Sequence, residues 1–207
     1  MKDEPMTDDL LQLFENAGVS LPNENSLGDK IVPDGDSEKL LNFWNWFGDS
    51  KMVDRRGRPL VVYHGTSKKF DEFDRSKSKD GFFFAPLSRR NTVSGYYAFY
   101  DSNTNGTIMP CYIRMENPLF VHRPYGKEDE KARADGSIAT YDGIIAIYDD
   151  EKEMSLPQYD YVENKIVQEI QRKGEPIEYI VFNPKQIKSV ENKGLFSQST
   201  ANIYESV

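Results

Sequence analysis

The chain has 207 residues, enough for one good core or a domain with a small appendage. Its 26 basic against 34 acidic side chains leave a formal charge of −8, which argues against a broad electrostatic grip on nucleic acid. A single cysteine, Cys111, excludes an intrachain disulfide, and with only 2 histidines no metal site is expected. No run has the length and apolarity of a membrane span, so no membrane contact is expected. The start, Met1-Lys2-Asp3-Glu4-Pro5, lacks the apolar core of a signal peptide, and a reducing cytoplasm is the expected compartment.

In chain order, Leu10, Leu11, Leu13 and Phe14 predict a docking helix over Thr7 to Ala17, stopped by Gly18. Pro22 to Asp36 is rich in Asn, Pro, Gly and Asp and reads as a linker. Ser37 to Phe47 predicts a second helix, whose stripe of Leu40, Leu41, Phe43, Trp44 and Phe47 is best read as core. After a turn at Arg56-Gly57, Pro59 opens a strand through Leu60-Val61-Val62 that ends on Tyr63-His64-Gly65-Thr66. Ser76 to Gly81 has the composition of a loop beside a site, and Phe82 to Ala85 reads as a short buried strand. A helix is expected over Ser88 to Tyr97, then a turn at Thr104-Asn105-Gly106. A strand over Ile108 to Met115 follows, ended by Asn117-Pro118. Cys111 falls in this strand and is expected to be a buried, inert thiol.

His122 to Thr140 is weakly patterned and reads as a loop with one helical turn. Gly143 to Tyr148 is an Ile-rich strand. Val162, Ile166, Val167 and Ile170, followed by Gly174, predict an amphipathic helix over Tyr159 to Lys173. Ile177 to Phe182 is the last clear strand, with pairing resumed over Ile187 to Val190. Helices followed mostly by strands predict an α+β fold with an antiparallel-rich sheet or split sheets. The regular βαβ alternation of a doubly wound dinucleotide fold is missing.

Taken singly, the polar residues at these strand ends are weak signals. An imidazole at a strand end is often structural, and Glu178 could be a solvated edge carboxylate. Together they suit one ligand. An imidazole can donate to ribose hydroxyls, and the N–H and C=O of Gly65 can read a carboxamide. Aromatic faces can sandwich a cationic ring, and a carboxylate can steady an oxocarbenium-like centre. That set describes nicotinamide riboside.

Tyr63-His64-Gly65-Thr66, Gly81-Phe82-Phe83-Phe84-Ala85 and Glu178-Tyr179-Ile180-Val181-Phe182 resemble the three signature strands of the ADP-ribosyltransferase superfamily. The resemblance is to its His–Tyr–Glu branch, that of diphtheria-toxin-like enzymes and poly(ADP-ribose) polymerases. Trp46-Phe47-Gly48-Asp49-Ser50-Lys51, Gly57-Arg58-Pro59, Tyr141-Asp142-Gly143-Ile144-Ile145 and Phe182-Asn183-Pro184-Lys185-Gln186 are similar to the ADP-ribosyltransferase domains of polyvalent proteins from phages and mobile elements. The likeness covers about residues 43–204, and implies an N-terminal helical arm and linker over 1–42 before a catalytic domain over 43–204. The fold it implies is α+β, with split antiparallel sheets and flanking helices.

The resemblance also assigns roles. Glu178 and His64 would be catalytic, Glu178 holding a ribose hydroxyl and steadying the cationic transition state. His64, Gly65, Thr66, Phe83, Ser94 and Tyr97 would bind the nicotinamide end of NAD, the co-substrate, with Ser94 giving its hydroxyl to the carboxamide and Tyr97 stacking on the ring. Phe83 stands where the branch has tyrosine, which leaves either a weakened reaction or a tyrosine supplied from elsewhere. The implied activity is mono-ADP-ribosyl transfer from NAD to a macromolecular acceptor inside a bacterial cell, in a phage- or toxin-related setting. The acidic charge favours a protein acceptor over nucleic acid. An inhibitor or antitoxin is a candidate partner. An NAD glycohydrolase, or a degenerate member that only binds or builds, stays open. Arginine-modifying members carry a second glutamate two residues before the catalytic one; here that position is Pro176, which points away from arginine.

Overall fold

The computed structural model describes residues 21–99, 106–122 and 126–205. The helix expected over Thr7 to Ala17, and Thr104 and Asn105 of the expected turn, lie outside them.

Helix α1 (Ser37–Phe47) forms where the stripe predicts it. Asp36 caps it, its carboxylate accepting from Glu38 N at 2.9 Å and Lys39 N at 3.1 Å, and Gly48 follows its end. The helix runs through the 42/43 boundary set out above. Its inner face lies on a three-stranded antiparallel sheet in the order β1 (Val62–Thr66), β3 (Thr107–Ile113), β9 (Ile187–Ser189). Phe43 meets Phe47, Tyr112 and Phe196 at ring centroid distances of 5.3, 5.1 and 5.1 Å. Trp46 is fully enclosed, and its indole N–H donates to the Lys185 carbonyl at 3.1 Å. Cys111 is buried in β3, as expected, and burial pushes its thiol up.

The second sheet has four strands in the order β2 (Phe82–Phe84), β8 (Pro176–Val181), β5 (Gly143–Ile147), β4 (Pro118–Val121). Its pairs are antiparallel except β4 with β5, which is parallel. Pro118 therefore starts a strand as well as following one, a position where its missing N–H costs no ladder bond. The two sheets share one core, and among the described residues one backbone bridge joins them, Tyr63 to Ala85, where both peptide groups are exchanged at 2.9 and 2.8 Å.

Two stretches depart from the expectation, and a third meets it in an irregular form. Tyr159 to Lys173 is not a helix: β6 (Met154–Asp160) and β7 (Lys165–Gln171) form a two-stranded hairpin. Asn164, at φ 52°, turns the chain between them. The stretch expected as a loop contains helix α3 (Lys127–Ala134), which carries Glu128, Asp129 and Glu130 in its first turn, where the dipole favours acids. Ser88 to Tyr97 is helical in three pieces: a 3-10 turn (Leu87–Arg89), a π turn (Arg90–Ser94) and the short α2 (Gly95–Phe99).

Beyond β9 the chain wraps back over the first sheet and is locked by a buried ion pair. Lys188 Nζ lies 2.9 Å from Glu205 Oε1 and donates to the Thr200 and Asn202 carbonyls. Burial pulls the ammonium down and Glu205 opposes it.

Candidate active site

The cleft exists because β1 and β2 part company after their single bridge. Tyr63 spends its N–H and C=O on Ala85. Peptide groups alternate edges along a strand, so Gly65 presents its own N–H and C=O on the same edge two residues on. The register would place Phe83 opposite, yet the Phe83 carbonyl is taken by the His64 ring, at 2.8 Å from Nδ1. The strands diverge there around a cavity of about 440 Å³.

His64, Gly65, Phe83, Ser94, Tyr97 and Glu178 all line this cavity, with Phe84, Ala85 and Val93. Thr66 lies one step further along β1, in an adjoining cavity of about 400 Å³ that shares His64, Gly65, Phe83 and Tyr97. The Thr66 hydroxyl accepts from Lys68 N at 3.1 Å, so it serves the local turn.

A carbonyl can only accept, so His64 Nδ1 carries the proton. The ring is boxed by Phe73 and Phe84 at 4.9 and 5.4 Å. Burial pulls its basicity below the ordinary imidazole value, against the Phe83 carbonyl. The neutral ring therefore offers Nε2 as an acceptor. This corrects the expectation of a donor: a ribose hydroxyl would give its proton to His64.

Ser94 needs a matching correction. Its Oγ donates to the Tyr63 carbonyl at 2.8 Å, and the side chain is buried. The hydroxyl proton is spent, leaving lone pairs that can accept from a carboxamide NH₂. The π turn brings the Ser94 backbone so close to β1 that a Cβ on Gly65 would sit 1.7 Å from the Ser94 carbonyl oxygen. Only glycine fits there, because of this approach and not because of backbone torsion.

Glu178 sits in β8, opposite Ala146 of β5. Burial pushes its carboxyl up to about 7, and the Arg89 guanidinium opposes the rise. Tyr97 is about half exposed, and its phenol is held protonated by burial and by the Glu178 charge. Phe83 lines the wall with a plain ring.

Sequence reasoning missed what holds the Leu87–Ser94 segment. Glu169 of β7 is buried and pairs with Arg89 Nε, while its other oxygen accepts from Thr92 Oγ1 at 3.0 Å. Asn91 Nδ2 donates to Asp160 Oδ2 at 3.1 Å. The signal was the alternation of Val167, Glu169 and Gln171, masked by apolar residues at helical spacing. Among the described residues, no group of three or more His, Cys, Asp or Glu could hold a metal ion, and no helix is long and apolar enough to cross a membrane.

Split sheets that meet at one bridge and open around an imidazole, a glycine edge and a carboxylate have the architecture of an ADP-ribosyltransferase-like fold. The chain belongs to the family described as ADP-ribosyltransferase in polyvalent proteins, whose family model matches residues 54–196. The match takes in every residue lining the cavity. ADP-ribosyl transfer is the general reaction of this family. No curated protein and no solved structure matches the chain.

Proposed function

We propose that the chain is an NAD-dependent mono-ADP-ribosyltransferase, releasing nicotinamide and moving ADP-ribose to a macromolecular acceptor. One observation carries the reading: His64, Gly65, Phe83, Ser94, Tyr97 and Glu178, the residues to which the resemblance gives roles, line a single cavity. A cavity of about 440 Å³ suits the nicotinamide riboside end, and the adjoining one suits the rest of the dinucleotide.

In this reading the Gly65 peptide edge and the Ser94 lone pairs receive the carboxamide. Tyr97 covers one face of the ring and Phe83 stacks nearby. His64 Nε2 accepts from a ribose hydroxyl and fixes the sugar. The bond between nicotinamide N1 and the anomeric carbon breaks, and its electron pair neutralises the pyridinium as nicotinamide leaves. The oxocarbenium centre meets the Glu178 carboxylate. An acceptor nucleophile then attacks the anomeric carbon from the opposite face, and its proton passes to Glu178 or solvent. Two residues before Glu178 the chain has Pro176, which supports an acceptor other than arginine. The charge of −8 supports a protein over nucleic acid, and the polyvalent-protein family supports a phage- or toxin-related role within a bacterial cell.

The test is nicotinamide release from NAD by wild type and Glu178→Gln, with and without bacterial lysate. Wild type releases nicotinamide, the variant falls by about a hundredfold or more, and label from NAD appears on a protease-sensitive acceptor. Label left only as free ADP-ribose makes the chain an NAD glycohydrolase. Equal inertness of both proteins overturns the enzymatic reading and leaves a binding or structural protein.

A further inference from the structure

Glu178 lies in a partly apolar wall, and burial pushes its carboxyl up to about 7, close to the pH at which it must work. A protonated carboxyl neither steadies a cation nor accepts a proton. Among the described residues lining the cleft, the titratable partners of Glu178 are His64 and Tyr97. His64 is held neutral, and Tyr97 remains a phenol. Ala146, its cross-strand neighbour, carries no charge. Arg90 is turned to the Tyr63 ring, 5.8 Å from its centroid. Among the described residues, the cation that acts on the Glu178 carboxyl is Arg89, whose own partner is the carboxylate of Glu169.

Arg89 is fixed from two directions. Its Nε pairs with the buried Glu169, and its Nη1 points to the Ile177 carbonyl at 3.4 Å. Ile177 immediately precedes Glu178 in β8. Glu169 is itself held by Thr92 Oγ1 and Gln171 Nε2. The bracket spans two elements, β7 and the π turn, and leaves the guanidinium beside the strand that carries the carboxylate.

We propose that Arg89 is a positioning residue, held by Glu169, Thr92 and Gln171, that keeps the Glu178 carboxylate available at neutral pH. The inference rests on the reading of Glu178 as the group that meets the cationic centre. It gives the β6–β7 hairpin a function: the hairpin delivers Glu169, and Glu169 aims Arg89.

The test is a carboxyl carbon NMR titration of the full chain carrying labelled glutamate, with the Glu178 resonance assigned by its loss in Glu178→Gln. In Arg89→Met the Glu178 midpoint rises by about one pH unit. In Arg89→Lys, which keeps the charge but not the two-sided hold, the rise is smaller than in R89M. Should R89M fail to fold, Arg89→Gln, which keeps a donor for Glu169, shows the same rise. The pH profile of nicotinamide release moves alkaline in parallel. An unmoved midpoint in a folded R89M or R89Q, or an R89K that titrates like R89M, overturns the proposal. A midpoint that moves in a protein without turnover supports the role of Arg89 and overturns the catalytic reading of Glu178, so the two failures are distinguishable.

Discussion

Around α1 the apolar side chains point inward: Phe43, Trp46 and Phe47 are enclosed against Tyr112 and Phe196. In the β6–β7 hairpin the pattern is reversed. Tyr159, Ile166 and Ile170 face solvent, while Asp160, Glu169 and Gln171 face the protein. The helix is held by area removed from water, a term that tolerates small shifts. The hairpin is held by directed polar contacts, which fail when geometry is lost. The edge of the cleft is thus placed by the stricter of the two kinds of bonding. A segment that must present Ser94 and Arg89 in register gains from that strictness.

The contrast can be broken at its apolar end first. Phe43→Ala removes a ring shared by several aromatic neighbours, and the expected loss is about 3–5 kcal/mol in denaturant unfolding. A loss below about 1 kcal/mol would mean that α1 is not the centre of the core.

At the cleft the sign reverses. The Glu178 carboxyl titrates near 7 in the folded protein and near its ordinary value, about 4.3, when unfolded. The folded state therefore binds the extra proton between those values, and ionisation costs stability above them. The penalty is missing below the unfolded value, grows through the window and is complete above the folded one. Glu178→Gln should stabilise the chain at pH 8, by on the order of 1–3 kcal/mol, and much less at pH 5. Melting temperatures of both proteins at the two pH values check this; an equal difference at both would show that Glu178 is not held against its charge.

The smallest effect is expected on the outer face of the hairpin. Ile166 is 70% exposed, so Ile166→Thr should change stability by less than about 0.5 kcal/mol and leave nicotinamide release intact. A larger loss would show that this face has an apolar partner.

The same contrast explains what could be read in advance. α1, β1, β2, β5 and β8 were legible because their apolar residues face a core, so period and burial agree. His64, Gly65 and Glu178 stood out because polar chemistry interrupts apolar strands there, and Phe83, Ser94 and Tyr97 came through the resemblance. The hairpin was not legible. Ile166, Val167 and Ile170 repeat at helical spacing, yet two of the three lie outside, where no core enforces a period. Glu169 and Arg89 were hidden with it, since a buried carboxylate on a misread element looks like a surface charge. The donor roles expected of His64 and Ser94 failed for another reason: their protons go to the Phe83 and Tyr63 carbonyls, and sequence cannot show where a backbone acceptor lies.

The placement of β8 and β9 has a consequence for the making of the protein. β2 finds its partner only in β8, and β3 finds its second partner only in β9. During synthesis a nascent chain that has passed β7 still lacks Glu178, the strand that carries it and the Lys188–Glu205 lock. The ribosome-bound product is thereby a chain with half a cleft, and pairing across so long a separation is slow to form. The cleft is therefore complete only once β8 has paired with both β2 and β5.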